Sequence, residues 1–201
     1  MQELNLTYQQ SKDLLNRYIK DPITKLHCIE SEAIMRALAK HFGDDEENWG
    51  IIGLLHDIDW ELTKDNTAEH CVKAVEILKE AGASDFLIET IISHAYGQGW
   101  DEQFYGAPEY KDKIRSTKIQ YALAAAETVT GLIIAAVLVR PDRKLQNLEL
   151  KSLKKRFKEK SFAANCRREI ILECEKAGLP LDEFLSIGLK ALQGIAGELG
   201  M

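Results

Sequence analysis

Hydrophobic residues recur along most of the chain at intervals of three and four positions, which is the spacing of a helix with one buried face. Capping signals mark two of the helix starts, because Thr7 through Gln10 form a capping-box sequence and Asp44-Asp45 precede another hydrophobic run. The pattern therefore predicts an all-α chain, with helices after Thr7, over 26–42, after Asp45, over 67–81 and 85–95, and between Leu181 and Leu199.

The most apolar stretch, residues 119–139, contains Glu127 as its only charged residue. The stretch is long enough to span a bilayer, but polar residues such as Gln120 and Thr130 dilute it, and no basic asymmetry marks an insertion direction. A helix that is buried on all sides within an α-helical domain has the same composition. We therefore predict a core helix and no membrane association, and a buried carboxylate at this position points to a nearby cation.

Composition narrows the class of protein. With 201 residues, 45% of them hydrophobic, the chain suits one domain with a substantial core. The net charge of −6 argues against general affinity for nucleic acid, because phosphate backbones attract a positive surface, but it does not exclude a small phosphorylated ligand. The four cysteines show no C-x-x-C spacing, and the first residues lack the basic and apolar regions of an export signal. These features predict reduced thiols and a cytoplasmic location.

A histidine and an aspartate, His56 and Asp57, directly follow a hydrophobic run. Trp49, Ile52 and Leu55 share a helical face with His56, so this helix is predicted to deliver the histidine and the aspartate at its carboxyl end. An imidazole nitrogen beside a carboxylate oxygen suits a divalent metal. Two adjacent ligands are too few for such a site, so further ligands must come from elsewhere in the chain.

Three further histidines, His27, His70 and His94, each fall within a separate predicted amphipathic helix. Each shares a face with apolar residues of its helix, so all three are predicted to point toward the interior. A single buried histidine is usually a satisfied core residue, but four on successive helices, one of them joined to an aspartate, need partners in common. A metal centre is the simplest common partner.

The order His27, then His56-Asp57, then a carboxylate within a long helix resembles the HD superfamily of metal-dependent phosphohydrolases. The resemblance covers about residues 20–140. It implies two parts of one fold, an HD-domain helical bundle over residues 1–140 and a C-terminal helical extension, residues 141–201, that packs on the same domain.

The resemblance also implies a set of metal ligands. Asp57 would bridge two metals and take part in catalysis, and Glu127 stands where the family pattern has an aspartate. The metal would be divalent manganese, iron, nickel, cobalt or zinc, with one or two ions per chain. A hydroxide held at such a centre attacks phosphorus, so the implied reaction is hydrolysis of a small phosphorylated metabolite or nucleotide. The implied ligands are His27, His56, Asp57 and Glu127 for the first metal, with His70 and His94 completing a second site.

Other residues are candidates for roles around this site. Asp59 would orient a metal-bound water or a ligating imidazole during catalysis, or would cap the following turn instead. Tyr96, or Trp100 in the glycine-rich segment that follows, would bind substrate by covering or stacking on it, or would simply pack on the domain. Lys160 begins a run, 160–165, that resembles a segment of small bacterial HD proteins, and this resemblance implies a contact with a substrate phosphate. A solvated helix face is the usual explanation of such a basic run.

Two other functions stay open at the level of sequence. The same six ligands resemble those of HD-fold oxygenases, in which two irons activate dioxygen, and the identity of the metal discriminates between the classes. A module that senses a nucleotide without turning it over is the third hypothesis, and the glutamate at position 127 favours it weakly. The last predicted helix serves either as a packing helix or as a dimer face, so a homodimer is one expectation.

Overall fold

The structure, a computed structural model, describes residues 2–97 and 107–201 of the chain. Every regular element in these two ranges is helical, with no strand among them, which confirms the predicted all-α fold. The helices are α1 (Tyr8–Tyr18), α2 (Pro22–Phe42), α3 (Glu46–Leu55), α4 (Trp60–Thr63), α5 (Val72–Glu80), α6 (Asp85–Ile92), α7 (Lys118–Leu138), α8 (Leu150–Lys158), α9 (Arg168–Ile171), α10 (Leu181–Gly194) and α11 (Ala196–Leu199).

Helices α2 and α3 form the most extensive helix contact in the fold. α2 begins at Pro22, after Asp21, whose side chain accepts a hydrogen bond from the N–H group of Ile23 in the first turn. Gly53 of α3 allows a close approach to α2, because a Cβ at this position would lie 2.7 Å from the carbonyl oxygen of Ser31. The carboxyl end of α3, with His56 as the residue that follows its last turn, is therefore held beside α2.

The long apolar helix α7 packs against helices from both halves of the chain. Its neighbours include α2, α3 and α6 on one side of the sequence and α8, α9 and α10 on the other. By length and composition α7 is able to cross a membrane, but 61% of its most apolar window is buried within the fold. The apolar residues of α7 are thus used in packing within the fold. The same helix carries Glu127 and Thr130.

The chain beyond α7 returns to the first half of the molecule. α10 packs against α2, α7 and α8, while α9 packs against α7. The single helix predicted between Leu181 and Leu199 is broken into α10 and α11 at Ile195. Gly194 and Gly197 flank this break, and glycine is a poor helix former.

One predicted helix, 67–81, begins later than the hydrophobic spacing indicates. A 3-10 turn (Thr67–Glu69) is followed by His70 in an extended conformation and by Cys71 with a φ of 68°, and α5 starts only after them. The prediction of one helix over this range is therefore wrong at its amino end. The reason is a tertiary contact, because the carboxylate of Asp59 accepts hydrogen bonds from the first backbone N–H groups of α5 and decides where the helix begins.

The helix predicted over 85–95 also ends early, at Ile92. The 3-10 turn Ser93–Ala95 follows it and carries His94. Such a tightened turn is common at the end of a helix. His56 likewise follows the last turn of its helix, so among the four candidate histidines only His27 lies well inside a helix.

Candidate metal centre

Asp57 lies between two pairs of histidines. Its Oδ2 atom lies 3.7 Å from Nε2 of His27 and 3.5 Å from Nε2 of His56, which we call pair 1. Its Oδ1 atom lies 3.5 Å from Nε2 of His70 and 3.3 Å from Nε2 of His94, which we call pair 2. Each carboxylate oxygen faces one pair, which is the arrangement that a carboxylate needs in order to bridge two cations.

The spacing within each pair fits a metal ion. The two Nε2 atoms lie 3.1 Å apart in both pairs. Two nitrogen ligands at right angles on one metal, each about 2.1 Å from it, stand about 3.0 Å apart. Unprotonated nitrogens repel each other at this distance unless a cation lies beside both. Ligand atoms lie within 4.8 Å of one another in two clusters, His27, His56 and Asp57 in one and His70, Cys71 and His94 in the other.

The second ring nitrogen of two histidines is held by the backbone. Nδ1 of His56 donates to the carbonyl oxygen of Gly53 at 2.8 Å, and Nδ1 of His94 donates to that of Ile91 at 2.7 Å. Both acceptors lie three residues earlier, in the last turn of a helix, where carbonyl groups lack helical partners. With Nδ1 occupied in this way, the Nε2 atom on the side of Asp57 is the one that would bind a metal.

His27 and His70 obtain the same orientation from side chains. The Thr130 hydroxyl donates to the carbonyl oxygen of Glu127 at 2.6 Å, so its oxygen is left to accept a hydrogen bond from Nδ1 of His27, 3.0 Å away. Nδ1 of His70 donates to Oδ1 of Asp59 at 3.0 Å. A hydrogen bond on the far nitrogen fixes the ring and tautomer of a metal-ligating histidine, and all four histidines have one.

Asp59 is fully buried and performs two tasks. One carboxylate oxygen holds His70, while the other accepts hydrogen bonds from the N–H groups of Cys71 at 2.7 Å and Ala74 at 3.0 Å. The sequence left open whether Asp59 orients an imidazole or caps the turn that follows it. The structure shows the contact with the His70 imidazole, whereas the turn directly after Asp59, Trp60–Thr63, receives no cap from its side chain. Asp59 is not among the residues that line the cavity of the site, so its contact with the centre runs through His70.

Burial and charge act in opposite directions on the pKa values of the centre. Burial lowers the pKa of His56 to about 3, against the attraction of Asp57. Burial also lowers the pKa of His70, but Cys71 and Asp59 outweigh it and raise this pKa to about 10. Burial raises the pKa of Asp57, but the neighbouring histidines hold it well below its usual value. Asp57 is thus an anion, and more negative charge surrounds pair 2 than pair 1.

Glu127 lines the same cavity as Asp57 but stands outside both clusters of candidate ligand atoms. Its carboxylate accepts a hydrogen bond from the hydroxyl of Thr128. Burial raises the pKa of Glu127, and His94 and His27, one from each pair, oppose the shift. The carboxylate is therefore within electrostatic reach of both pairs, and its role as a metal ligand stays a prediction.

A cavity of about 680 Å³ opens onto the candidate ligands. Trp60 and Tyr96 contribute aromatic rings to its wall, and the Tyr96 hydroxyl donates to Glu89 at 3.4 Å. Lys160 is exposed and is not among the lining residues, and Trp100 lies outside the described residues. Contact with substrate stays a prediction for Tyr96 and Lys160 alike.

A buried ion pair joins pair 2 to the C-terminal helices. Arg115 is fully buried, and its Nε donates to Oε2 of Glu173 at 2.6 Å. Its Nη1 donates to the carbonyl oxygens of Ser93, His94 and Tyr96 at 2.7, 3.2 and 3.1 Å. These carbonyl groups belong to the turn that carries His94. Arg115 therefore fixes this turn, and the ion pair with Glu173 fixes Arg115.

The helical fold and the convergence of histidines on one aspartate define a family. Comparison with known protein families matches the HD domain over residues 25–137, more than half of the chain. The protein belongs to the HD domain family, whose members are typically metal-dependent phosphohydrolases, and the resemblance seen in the sequence is confirmed. No curated protein and no solved structure matches the chain.

Proposed function

We propose that this protein is a metal-dependent phosphohydrolase that acts on a small phosphorylated metabolite or nucleotide. The observation that carries the proposal is the position of Asp57, whose two oxygens lie 3.3 to 3.7 Å from the Nε2 atoms of all four histidines. Imidazole and carboxylate donors that converge in this way suit divalent transition metals. Membership of the HD family supports the same reaction class.

The four histidines and Asp57 would bind the metal ions in a fixed orientation. A divalent cation supplies activation of water at neutral pH and neutralisation of charge on phosphoryl oxygens. His27 and His56 would hold one such ion and His70 and His94 another, with their Nδ1 protons kept in place by acceptors. Asp57 would offset the charge of both ions and set the spacing between them.

The cavity supports a small organic substrate. Its volume of about 680 Å³ accommodates a mononucleotide or a smaller phosphorylated metabolite. Trp60 and Tyr96 offer apolar ring surface within the same wall, and such rings suit a nucleobase or another flat group. A phosphoryl group that reaches Asp57 from this cavity would leave the remainder of the substrate against these rings.

The proposal is tested by elemental analysis of protein purified without chelator, followed by a screen of phosphorylated metabolites and nucleotides with the metal found. We expect close to two equivalents of transition metal per chain and release of inorganic phosphate from at least one substrate class. Treatment with a chelator should abolish the release, and addition of the metal should restore it. Absence of bound transition metal after reconstitution contradicts the proposal.

The same screen separates the two other functions. The donor set also suits iron, so dioxygen consumption with ferrous iron and a phosphate-free substrate would identify an oxygenase. Tight binding of a nucleotide without any turnover, in protein that is fully loaded with metal, would identify a sensor. Phosphate release that depends on Asp57 supports hydrolysis against both.

A further inference from the structure

One part of the cavity wall comes from outside the residues that match the HD domain. Ala164, Asn165, Cys166 and Arg167 line the cavity from the loop between α8 and α9, which we call the α8–α9 loop. This loop follows the stretch, 25–137, that matches the HD domain. The family match therefore assigns no role to it.

The α8–α9 loop is folded around the guanidinium group of Arg168. This side chain spreads its five N–H donors over six backbone oxygens of the loop and of the last turn of α8, so at least one donor is shared. A guanidinium that is used in this way fixes the path of the backbone. The acceptors are the carbonyl oxygens of Arg156 at 3.3 Å, Phe157 at 3.1 Å, Glu159 at 3.3 Å, Phe162 at 2.5 Å, Ala163 at 2.9 Å and Cys166 at 2.6 Å.

A glycine in α7 lets this loop come close to the metal centre. A Cβ on Gly131 would lie 2.8 Å from Sγ of Cys166, which is closer than side-chain atoms approach each other. Gly131 lies one helical turn after Glu127, and both residues line the cavity. The α8–α9 loop is thus pressed against the turn of α7 that follows the candidate ligand Glu127.

Arg167 brings a positive charge to this wall. Among the described residues that line the cavity it is the only lysine or arginine. Asn165, two residues earlier in the chain, also lines the cavity and carries a side-chain amide. A planar guanidinium with a neighbouring amide donor matches the paired oxygens of a carboxylate or a phosphate.

We propose that Arg167 and Asn165 form a recognition site for a second anionic group of the substrate, a carboxylate or a further phosphate, while the phosphoryl group to be hydrolysed lies at the histidine–aspartate centre. This inference rests on the proposed phosphohydrolase function for the identity of the first group. It restricts the substrate to phosphorylated compounds with negative charge at two ends. Arg168 is a positioning residue for this site, because it shapes the loop without lining the cavity.

The test uses phenyl phosphate and its ortho-, meta- and para-carboxylated forms as probes of the full-length, metal-loaded protein. Equilibrium binding is measured by calorimetry, and initial rates are measured wherever turnover occurs. We expect at least one carboxylated ester to bind about tenfold to a hundredfold more tightly than phenyl phosphate, the range of a charged hydrogen bond. Arg167→Gln should abolish this preference, so that the carboxylated esters bind no more tightly than phenyl phosphate.

Matched variants isolate the site. Lys158→Gln removes the same charge from an exposed position outside the cavity, so the preference should survive it. Arg167→Lys should retain part of the preference, because charge remains while the bidentate fork is lost. Arg168→Lys, checked for folding by thermal melting, should weaken the preference without changing the metal content.

The outcomes separate this inference from the proposed function. If no carboxylated ester is preferred by the parent, or if the preference survives Arg167→Gln, the recognition site is refuted even when phenyl phosphate is hydrolysed. If the preference depends on Arg167 but no ester is hydrolysed with any metal, the anion site stands and the phosphohydrolase proposal fails.

Discussion

Pair 1 and pair 2 present the same atoms to the shared aspartate but are built in different ways. His27 lies within α2 and His56 follows α3, so pair 1 belongs to two helices that pack closely on each other. His70 and His94 lie in turns between helices. Their places depend on polar contacts with residues distant in the sequence, a carboxylate in one case and a buried arginine in the other.

Exposure and charge differ between the pairs as well. The His27 side chain is 28% exposed, while those of His70 and His94 are only 5% and 7% exposed. Pair 2 also lies beside Asp59 and Cys71. His56 of pair 1 is only 1% exposed, so the pairs differ mainly in charge: pair 2 is the more negative half, and its geometry is set by side chains instead of helix packing. We expect pair 2 to be the half that single substitutions disturb most easily.

The largest effect is expected where the two pairs meet. Asp57→Asn keeps the shape of the side chain but removes the charge that both pairs share, so metal should be lost from both. We expect phosphohydrolase activity to fall on the order of a thousandfold or more, because several kcal/mol of charge stabilisation is lost with the metal. Elemental analysis and initial rates measure this, with circular dichroism as the check on the fold. If Asp57→Asn retains two equivalents of metal, Asp57 is not a ligand that bridges the two ions.

Removal of one histidine from each pair tests whether the pairs hold separate ions. His27→Ala and His94→Ala should each lower the metal content by about one equivalent, since each pair offers too few ligands without both members. Activity should fall by about a hundredfold or more in each variant. The variant His41→Ala, in a histidine remote from the cavity lining, serves as a control. If His94→Ala leaves metal content and activity untouched, a single-metal centre at pair 1 stands.

Arg115→Met breaks the buried ion pair that links the His94 turn of pair 2 to the C-terminal helices. Leaving the buried Glu173 carboxylate without this partner should cost about 3 kcal/mol or more of unfolding free energy, measured in urea. Metal affinity should fall at pair 2 and stay within about twofold at pair 1, because only the His94 turn loses its donors.

The double variant Arg115→Met with Glu173→Met distinguishes two roles of Arg115, its contribution to the stability of the fold and its positioning of His94. A well-packed apolar pair in place of a buried ion pair is often neutral in stability, so much of the lost unfolding free energy should return. The carbonyl oxygens around His94 still lack their donor, so the weakened metal binding at pair 2 should persist. Recovery of both properties together would mean that Arg115 stabilises the fold without positioning His94.

Two further substitutions remove the side-chain acceptor from one histidine of each pair. Asp59→Asn should weaken metal binding at pair 2 by about tenfold to a hundredfold, the usual cost of losing such a partner. Thr130→Val, which is similar in size, should weaken pair 1 by about tenfold, because a neutral hydroxyl orients His27 less strongly than a carboxylate orients His70. Competition with a chelating dye measures both. Equal losses at both pairs in either variant would contradict the assignment of partners.

The contrast between the pairs also explains how far the sequence could predict the site. Helical spacing and cap signals depend on neighbouring residues, so they located the long helices α2 and α7 and the His56-Asp57 end of α3. They could not reveal that Asp59 moves the start of α5 past His70, because the hydrogen bonds responsible span 12 and 15 positions. The contact between Arg115 and Glu173 spans 58 positions and leaves no periodic signal. Thr130 was visible on the face of Glu127, but its partner His27 is 103 positions away.

The smallest expected effect concerns Glu127, which lies within reach of both pairs and belongs to neither cluster. If its carboxylate is a ligand, Glu127→Gln should lower metal affinity and activity by about tenfold, because a buried neutral amide is a poorer partner for a cation. Glu127→Asp should then retain part of both, since it keeps the charge on a shorter side chain.

If the Glu127 carboxylate holds a proton instead, as its raised pKa permits, Glu127→Gln should lower kcat with the metal content unchanged. Thr128→Val, which removes only the hydroxyl that donates to Glu127, should change neither the metal content nor kcat by more than a few-fold. A Glu127→Gln variant that binds metal and turns over like the parent would exclude both roles and leave Asp57 as the carboxylate on which the two pairs depend.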